Sequence, residues 1–180
     1  SLNVTESRCY FGPTFFYKTD YEERILAVRD QLPLLKDVVL IDSVRERKSN
    51  VPLLREILAS CEPLPKERCV HTKNGQDIAV ILCTSGTTGG TKGVLLTHDN
   101  VRYSEDTFNR ELGLTEEDIM FMPAPLHHAT GFHHAIIAPM LHGAKVVLQQ
   151  KYQCRSAIEL MNREKVTYSM GATPFIYDIL

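Results

Sequence analysis

Short apolar runs alternate along the chain with stretches in which apolar residues recur three or four positions apart. Such runs stand at 38–41 (VVLI), 78–83 (IAVILC), 93–98 (GVLLTH), 145–148 (KVVL) and 165–170 (KVTYSM), and the runs of Val and Ile among them lack strict polar alternation, as expected of strands covered on both faces. Between them, the amphipathic stretches 21–31, 52–59, 99–111, 132–141 and 155–164 predict helices. Strand and helix in alternation predict an α/β fold. The segment 61–76 (CEPLPKERCVHTKNGQ) has two prolines, a glycine and mixed charge, so it is predicted as a loop. It would join two sub-lobes, 1–60 and 77–180, of a single domain.

The junction between the runs at 78–83 and 93–98 has its own chemistry. It reads TSGTTGGTKG from Thr84 to Gly93, almost entirely Gly, Thr and Ser around one lysine. Glycines let backbone N–H groups turn toward a ligand, hydroxyls add short donors and Lys92 adds a mobile positive charge, a combination suited to a polyphosphate. It is not the Gly-x-x-x-x-Gly-Lys-Ser/Thr loop: counted from Gly86, the second glycine would fall on Thr91, and Lys92 is followed by Gly93. That loop also opens a helix, whereas VLLT after Gly93 favours a strand. The arrangement predicted is a strand–loop–strand phosphate clamp rather than a simple hairpin turn, which needs only one or two special backbone positions.

These ten residues resemble the phosphate-binding motif of the adenylate-forming enzymes, the superfamily of acyl-CoA synthetases, aryl-CoA ligases, luciferases and peptide-synthetase adenylation domains. Thr84, Ser85, Gly86, Thr87, Thr88, Gly89, Lys92 and Gly93 match it. Thr91 departs from it where proline is usual, which should loosen the loop without removing a donor. A second motif follows in the order of that family: PLHHATGF, from Pro125 to Phe132, resembles the segment that opens a helix beside the acyl group. His128 takes the place of the family's aromatic or His side chain near the substrate carboxylate. The wording PAPLHHATGF and, later, GATPFIYDIL is most similar to bacterial short- and medium-chain fatty-acyl-CoA synthetases.

The resemblance implies a part of the large N-terminal domain of such an enzyme, with a mostly parallel sheet flanked by helices. ATP, Mg²⁺ and coenzyme A would be its co-substrates and a small carboxylic acid its substrate. It implies catalytic roles for His128 and Lys92, and ATP binding by Thr84, Ser85, Gly86, Thr87, Thr88, Gly89 and Lys92. The family's adenine, ribose and C-terminal lysine elements find no counterpart, and the chain has no initiator methionine and stops within an apolar run. A fragment without activity of its own is therefore expected. A phosphate-binding module without catalysis, an aryl-acid ligase and an interaction fragment pairing through sheet edges are the alternatives.

Composition changes this picture little. A formal charge of −2, with Lys and Arg dispersed, gives no footprint for a nucleic acid or an acidic membrane. The segment 119–144 has no Asp, Glu, Lys or Arg, but its five histidines and three prolines argue against a membrane span. The histidines, His127, His128, His133, His134 and His142, fit no recognised zinc spacing, so no metal site is expected; His133, His134 and His142 are expected on the helix surface or in the core. Five irregularly spaced cysteines support neither a disulfide framework nor a zinc site, and suit a reducing, cytoplasmic setting. Between Pro125 and Gly143 no acidic residue is available to pair an ammonium group, and Phe132, Ile136, Ile137 and Met140 share a face at helical spacing. An aliphatic acid is expected there in preference to an amino acid.

Overall fold

A computed structural model of the chain describes residues 2–41, 48–69, 74–85 and 90–180. The chain divides into two units, Ser1–Thr72 with Cys83–Gly93, and Lys73–Leu82 with Val94–Leu180. The first unit begins with β1 (Cys9–Pro13), the short antiparallel pair β2 (Phe15–Phe16) and β3 (Thr19–Asp20), and helix α1 (Tyr21–Val28). Asp20 caps that helix, its Oδ1 accepting from the Glu23 amide at 2.9 Å. Next come β4 (Asp37–Ile41), α2 (Leu54–Ser60) and the single turn α3 (Lys66–Cys69), which lies inside the segment expected to be a loop. Strands β1 and β4 pair in parallel. Val38, Val39 and Leu40 are all buried, as the unbroken apolar run requires of a strand covered on both faces. Val38 and Leu40 join Ile25 of α1, Leu32, Leu35, Val51 and Leu53 in the core of this unit.

Strands β5 (Ile78–Ser85) and β6 (Thr91–Thr97) are hydrogen-bonded neighbours and flank the Gly/Thr segment. The His98 amide donates to the Asp77 carbonyl at 3.1 Å and the Asp99 amide to the Gly75 carbonyl at 2.9 Å. The start of β5 is thus tied to the end of β6, and the two run in opposite directions. Helix α4 (His98–Leu112) follows at once. Thr97 and Asn100 cap it reciprocally, each side-chain oxygen accepting from the other's amide at 3.1 Å. Gly113 ends it at φ 63°, a left-handed position that favours glycine.

The centre of the second unit is β7 (Ile119–Met122), which lies between β8 (Lys145–Leu148) and β9 (Tyr168–Ser169) with both pairings parallel. Its residues alternate between two layers. Met120 and Met122 pack on Ala135, and Phe121 packs on Val147 and on Ala157 of helix α7 (Cys154–Glu164). Ala135 lies in the helical connection from β7 to β8, which comprises α5 (Ala129–Phe132), a wider π-type turn (His133–Ile137) and α6 (Ala138–His142). The last element is α8 (Thr173–Ile179). The outcome is the expected α/β arrangement with parallel pairs and helical layers. The pairs form separate small sheets, however, and the run at 165–170 narrows to two strand residues, its first residue, Lys165, being the left-handed cap of α7 at φ 58°.

Candidate active site

Of the residues expected to hold phosphates, Thr84 is exposed in β5 and Lys92 is exposed in β6. Ser85 is the last residue of β5. Gly86, Thr87, Thr88 and Gly89 lie outside the described residues. Thr84, Ser85 and Lys92 belong to the first unit and His128 to the second.

His128 is placed by the chain leaving β7. In a parallel sheet, ligands gather at the carboxyl ends of strands. The turn after Met122 closes with the His128 amide donating to the Pro125 carbonyl at 3.1 Å, and the Phe132 amide donates to the His128 carbonyl at 2.9 Å. His128 is therefore the N-cap of α5, with extended backbone angles (φ −88°, ψ 152°). Its Nδ1 accepts from the Thr130 amide at 3.4 Å. A neutral ring with Nδ1 as acceptor carries its proton on Nε2, so this exposed side chain offers an N–H donor outward. Gly131 makes the packing possible, since a Cβ there would run into the Pro125 carbonyl and the Leu126 backbone. At the carboxyl ends of β7 and β9, a cavity of about 190 Å³ is lined by Pro123, Met161, Ser169, Gly171, Phe175 and Ile176, among others. Its walls are predominantly apolar.

The histidines after α5 do more than decorate a helix. Glu105 of α4 is fully buried. His133 Nδ1 meets its Oε1 in a hydrogen bond at 3.0 Å, while His134 Nδ1 lies 3.0 Å from its Oε2, out of line for one. The Ser104 hydroxyl donates to Oε1 at 3.1 Å. Burial pushes the Glu105 carboxyl upward, but contacts with His134, Ser104 and His133 outweigh it and hold the group below its ordinary value. One helical turn on, Asn109 is also buried; its Nδ2 donates to the Ala138 carbonyl at 2.9 Å and meets His142 Nδ1 at 2.7 Å. Among the described residues, no three His, Cys, Asp or Glu side chains are arranged to hold a metal ion.

Glu105 and Asn109 are the site-adjacent residues that the sequence did not reveal. Val101, Glu105 and Asn109 form one stripe at a spacing of four, the spacing of a buried helix face, but two of the three are polar. Of the apolar set Phe132, Ile136, Ile137 and Met140, Met140 is 74% exposed and the other three are half-buried. The wide turn at His133–Ile137 shifts the helical phase ahead of it.

Comparison with known proteins places the chain in a family. The profile of the AMP-binding enzymes matches residues 1–180. The medium-chain fatty-acid–CoA ligase of Escherichia coli is 39% identical over 179 residues, covering 99% of this chain and 31% of that protein. The mitochondrial malonate–CoA ligase of Bos taurus is 30% identical over 172 residues, covering 92% and 28% respectively. Among solved structures, ATP-bound MatB from Rhodopseudomonas palustris has a TM-score of 0.76 at 20% identity, over 99% of this chain and 32% of that one. MenE, the o-succinylbenzoate CoA synthetase of Bacillus subtilis, in complex with the acyl-adenylate OSB-AMP, has a TM-score of 0.67 at 24% identity, over 92% and 43%. This chain thus spans less than a third of these two curated relatives, and it belongs to the family of AMP-binding enzymes.

Proposed function

We propose that the full-length protein is an ATP-dependent acyl-CoA synthetase for an unbranched or simple aliphatic monocarboxylic acid of short to medium length. The observation that carries this reading is His128: exposed, at the carboxyl end of a parallel strand, with Nδ1 engaged by the Thr130 amide and the Nε2 proton free to meet a carboxylate. A substrate carboxylate oxygen attacks the α-phosphorus of ATP. The acyl–O–P bond forms, the bond to the β-phosphate oxygen breaks and pyrophosphate leaves. The thiolate of coenzyme A then attacks the acyl carbon and releases AMP.

In this scheme His128 donates to the reacting carboxylate and fixes its approach. Lys92, with the backbone and hydroxyls of Thr84, Ser85, Gly86, Thr87, Thr88 and Gly89, offsets the charge that accumulates on pyrophosphate. Mg²⁺ enters with ATP as part of the substrate. The absence of acidic residues between Pro125 and Gly143 favours an aliphatic tail over an ammonium-bearing one. The E. coli relative, named for medium-chain fatty acids, lends support on the same side. The same proposal places the protein in fatty-acid metabolism and in the cytoplasm. The free thiols of Cys9, Cys61, Cys83 and Cys154 suit a reducing compartment, and among the described residues no helix is long and apolar enough to cross a membrane.

The test is a panel of acids given to the full-length protein with ATP, Mg²⁺ and coenzyme A, with thioester formation read by mass. Straight-chain acids should be converted in preference to amino acids and aryl acids. Turnover of an amino acid or an aryl acid with fatty acids inert would reject the substrate class. Binding of ATP with no acid consumed would reduce the protein to a nucleotide-binding module.

A further inference from the structure

A fully buried carboxylate is a poor way to stabilise a helix interface. Desolvating the charge roughly cancels what its partners return, and an apolar side chain of similar size at position 105 would serve packing at least as well. Glu105 nevertheless occupies the middle of the buried α4 stripe, between Val101 and Asn109. Its two oxygens are divided between the rings of two consecutive residues, His133 and His134.

Consecutive side chains on an α-helix diverge by about 100°, too far for both rings to reach one carboxylate easily. Here both residues stand at the start of the π-type turn, with ring centroids 6.5 Å apart. Pro139, which has no N–H, stands just after the turn, and the Ala138 amide donates to His133 O, five residues back. Neighbouring aromatic rings hold the pair in place: Phe108 lies against His134 with centroids 4.4 Å apart, and Phe132 meets His133 edge-on at 5.4 Å. His133 directly follows Phe132, whose amide closes the first helical turn on the His128 carbonyl. One backbone hydrogen bond thus links the residue before His133 to His128.

We infer that Glu105 is a positioning residue: through its hydrogen bond to His133 and its close approach to His134 it fixes the phase of the wide turn and so the direction in which His128 presents its ring. This inference rests on the role given to His128 above. Glu105 acts on the reaction through His128 and touches no substrate.

A double-mutant cycle in the full-length protein tests it, with Glu105→Gln, His128→Ala and the pair compared in acid-dependent exchange of pyrophosphate into ATP. Glu105→Gln should lower the maximal rate by about 10²-fold, the scale of a small misplacement in a reacting geometry. The KM for ATP should stay within about twofold. The pair should be no slower than His128→Ala alone, because two residues acting through one group are not additive. A wild-type rate for Glu105→Gln, or losses that multiply in the pair, would overturn the inference and leave the reading of His128 standing. A wild-type rate for His128→Ala would remove both. Should Glu105→Gln fail to fold, His134→Gln, whose side chain is 23% exposed, enters the same cycle with the same expectations.

Discussion

At the residue scale, the chemistry is divided between side chains that the sequence exposes and others that only packing reveals. Lys92 is an exposed lysine on β6 within a phosphate-type motif, so its proposed role is on the leaving pyrophosphate and not in folding. In the full-length protein Lys92→Ala should slow adenylate formation by about 10²–10³ while leaving the thermal midpoint nearly unchanged. Paired measurements of rate and melting decide, and an unaltered rate would remove Lys92 from the site. His128 could be read from its motif as well, but its tautomer could not, because that depends on the Thr130 amide reaching Nδ1. Glu105 was not legible at all. It sits in a helix rich in Asn, Asp, Glu and Arg, where a glutamate is ordinarily a solvated residue, and nothing local marks it as the partner of histidines 28 and 29 positions further on.

At the element scale, the strands and helices with a clear period were legible, and those without one were not. β4, β8, α1, α4 and α7 fall within a few residues of the predicted runs. β7, the central strand of its sheet, is not marked by its sequence: IMFM is four residues long, rich in methionine rather than β-branched residues, and leads straight into Pro123, with a second proline at Pro125. β1 was hidden by the glycine and proline in CYFGP. The helix expected over 132–141 starts earlier, at Ala129, since Gly131 acts there as a contact point against Pro125 and not as a breaker. Its interior differs as well, because Pro139 accompanies a turn that no 3.6-residue pattern anticipates. Helix α7 ends at a left-handed Lys165, with the Lys165 amide donating to Met161 O. That conformation disfavours a Cβ, so Lys165→Gly should stabilise the protein by up to about 1 kcal/mol. Chemical denaturation measures this, and a loss of stability on substitution would show that the lysine side chain contributes more than its backbone strain takes away.

At the scale of the whole molecule, the family match runs across all 180 residues, further than the motifs do, which begin at the Gly/Thr segment. The packing that surrounds the site also sets how the protein responds to acid. Glu105 is held below its ordinary value of 4.5, and the groups facing it are His133, His134, Ser104 and, more remotely, Tyr168. A carboxyl whose folded pKa is depressed contributes stability that is fully present above its unfolded pKa and is lost as pH falls through the folded one. The thermal midpoint of the full-length protein should therefore fall as pH drops from about 5 to about 3, and Glu105→Gln should shallow that slope. A slope identical in the two proteins would mean that the buried carboxylate is not ionised in the folded state.

The proposed activity is carboxylate activation at the expense of ATP. Exchange of labelled pyrophosphate into ATP by the full-length protein, with and without a straight-chain acid of short to medium length and with no coenzyme A present, addresses it most directly, since exchange requires reversible adenylate formation. Exchange should depend on the acid and fall by at least about 10²-fold in His128→Ala. Exchange that is absent with every acid tried, or that is insensitive to His128, would contradict it.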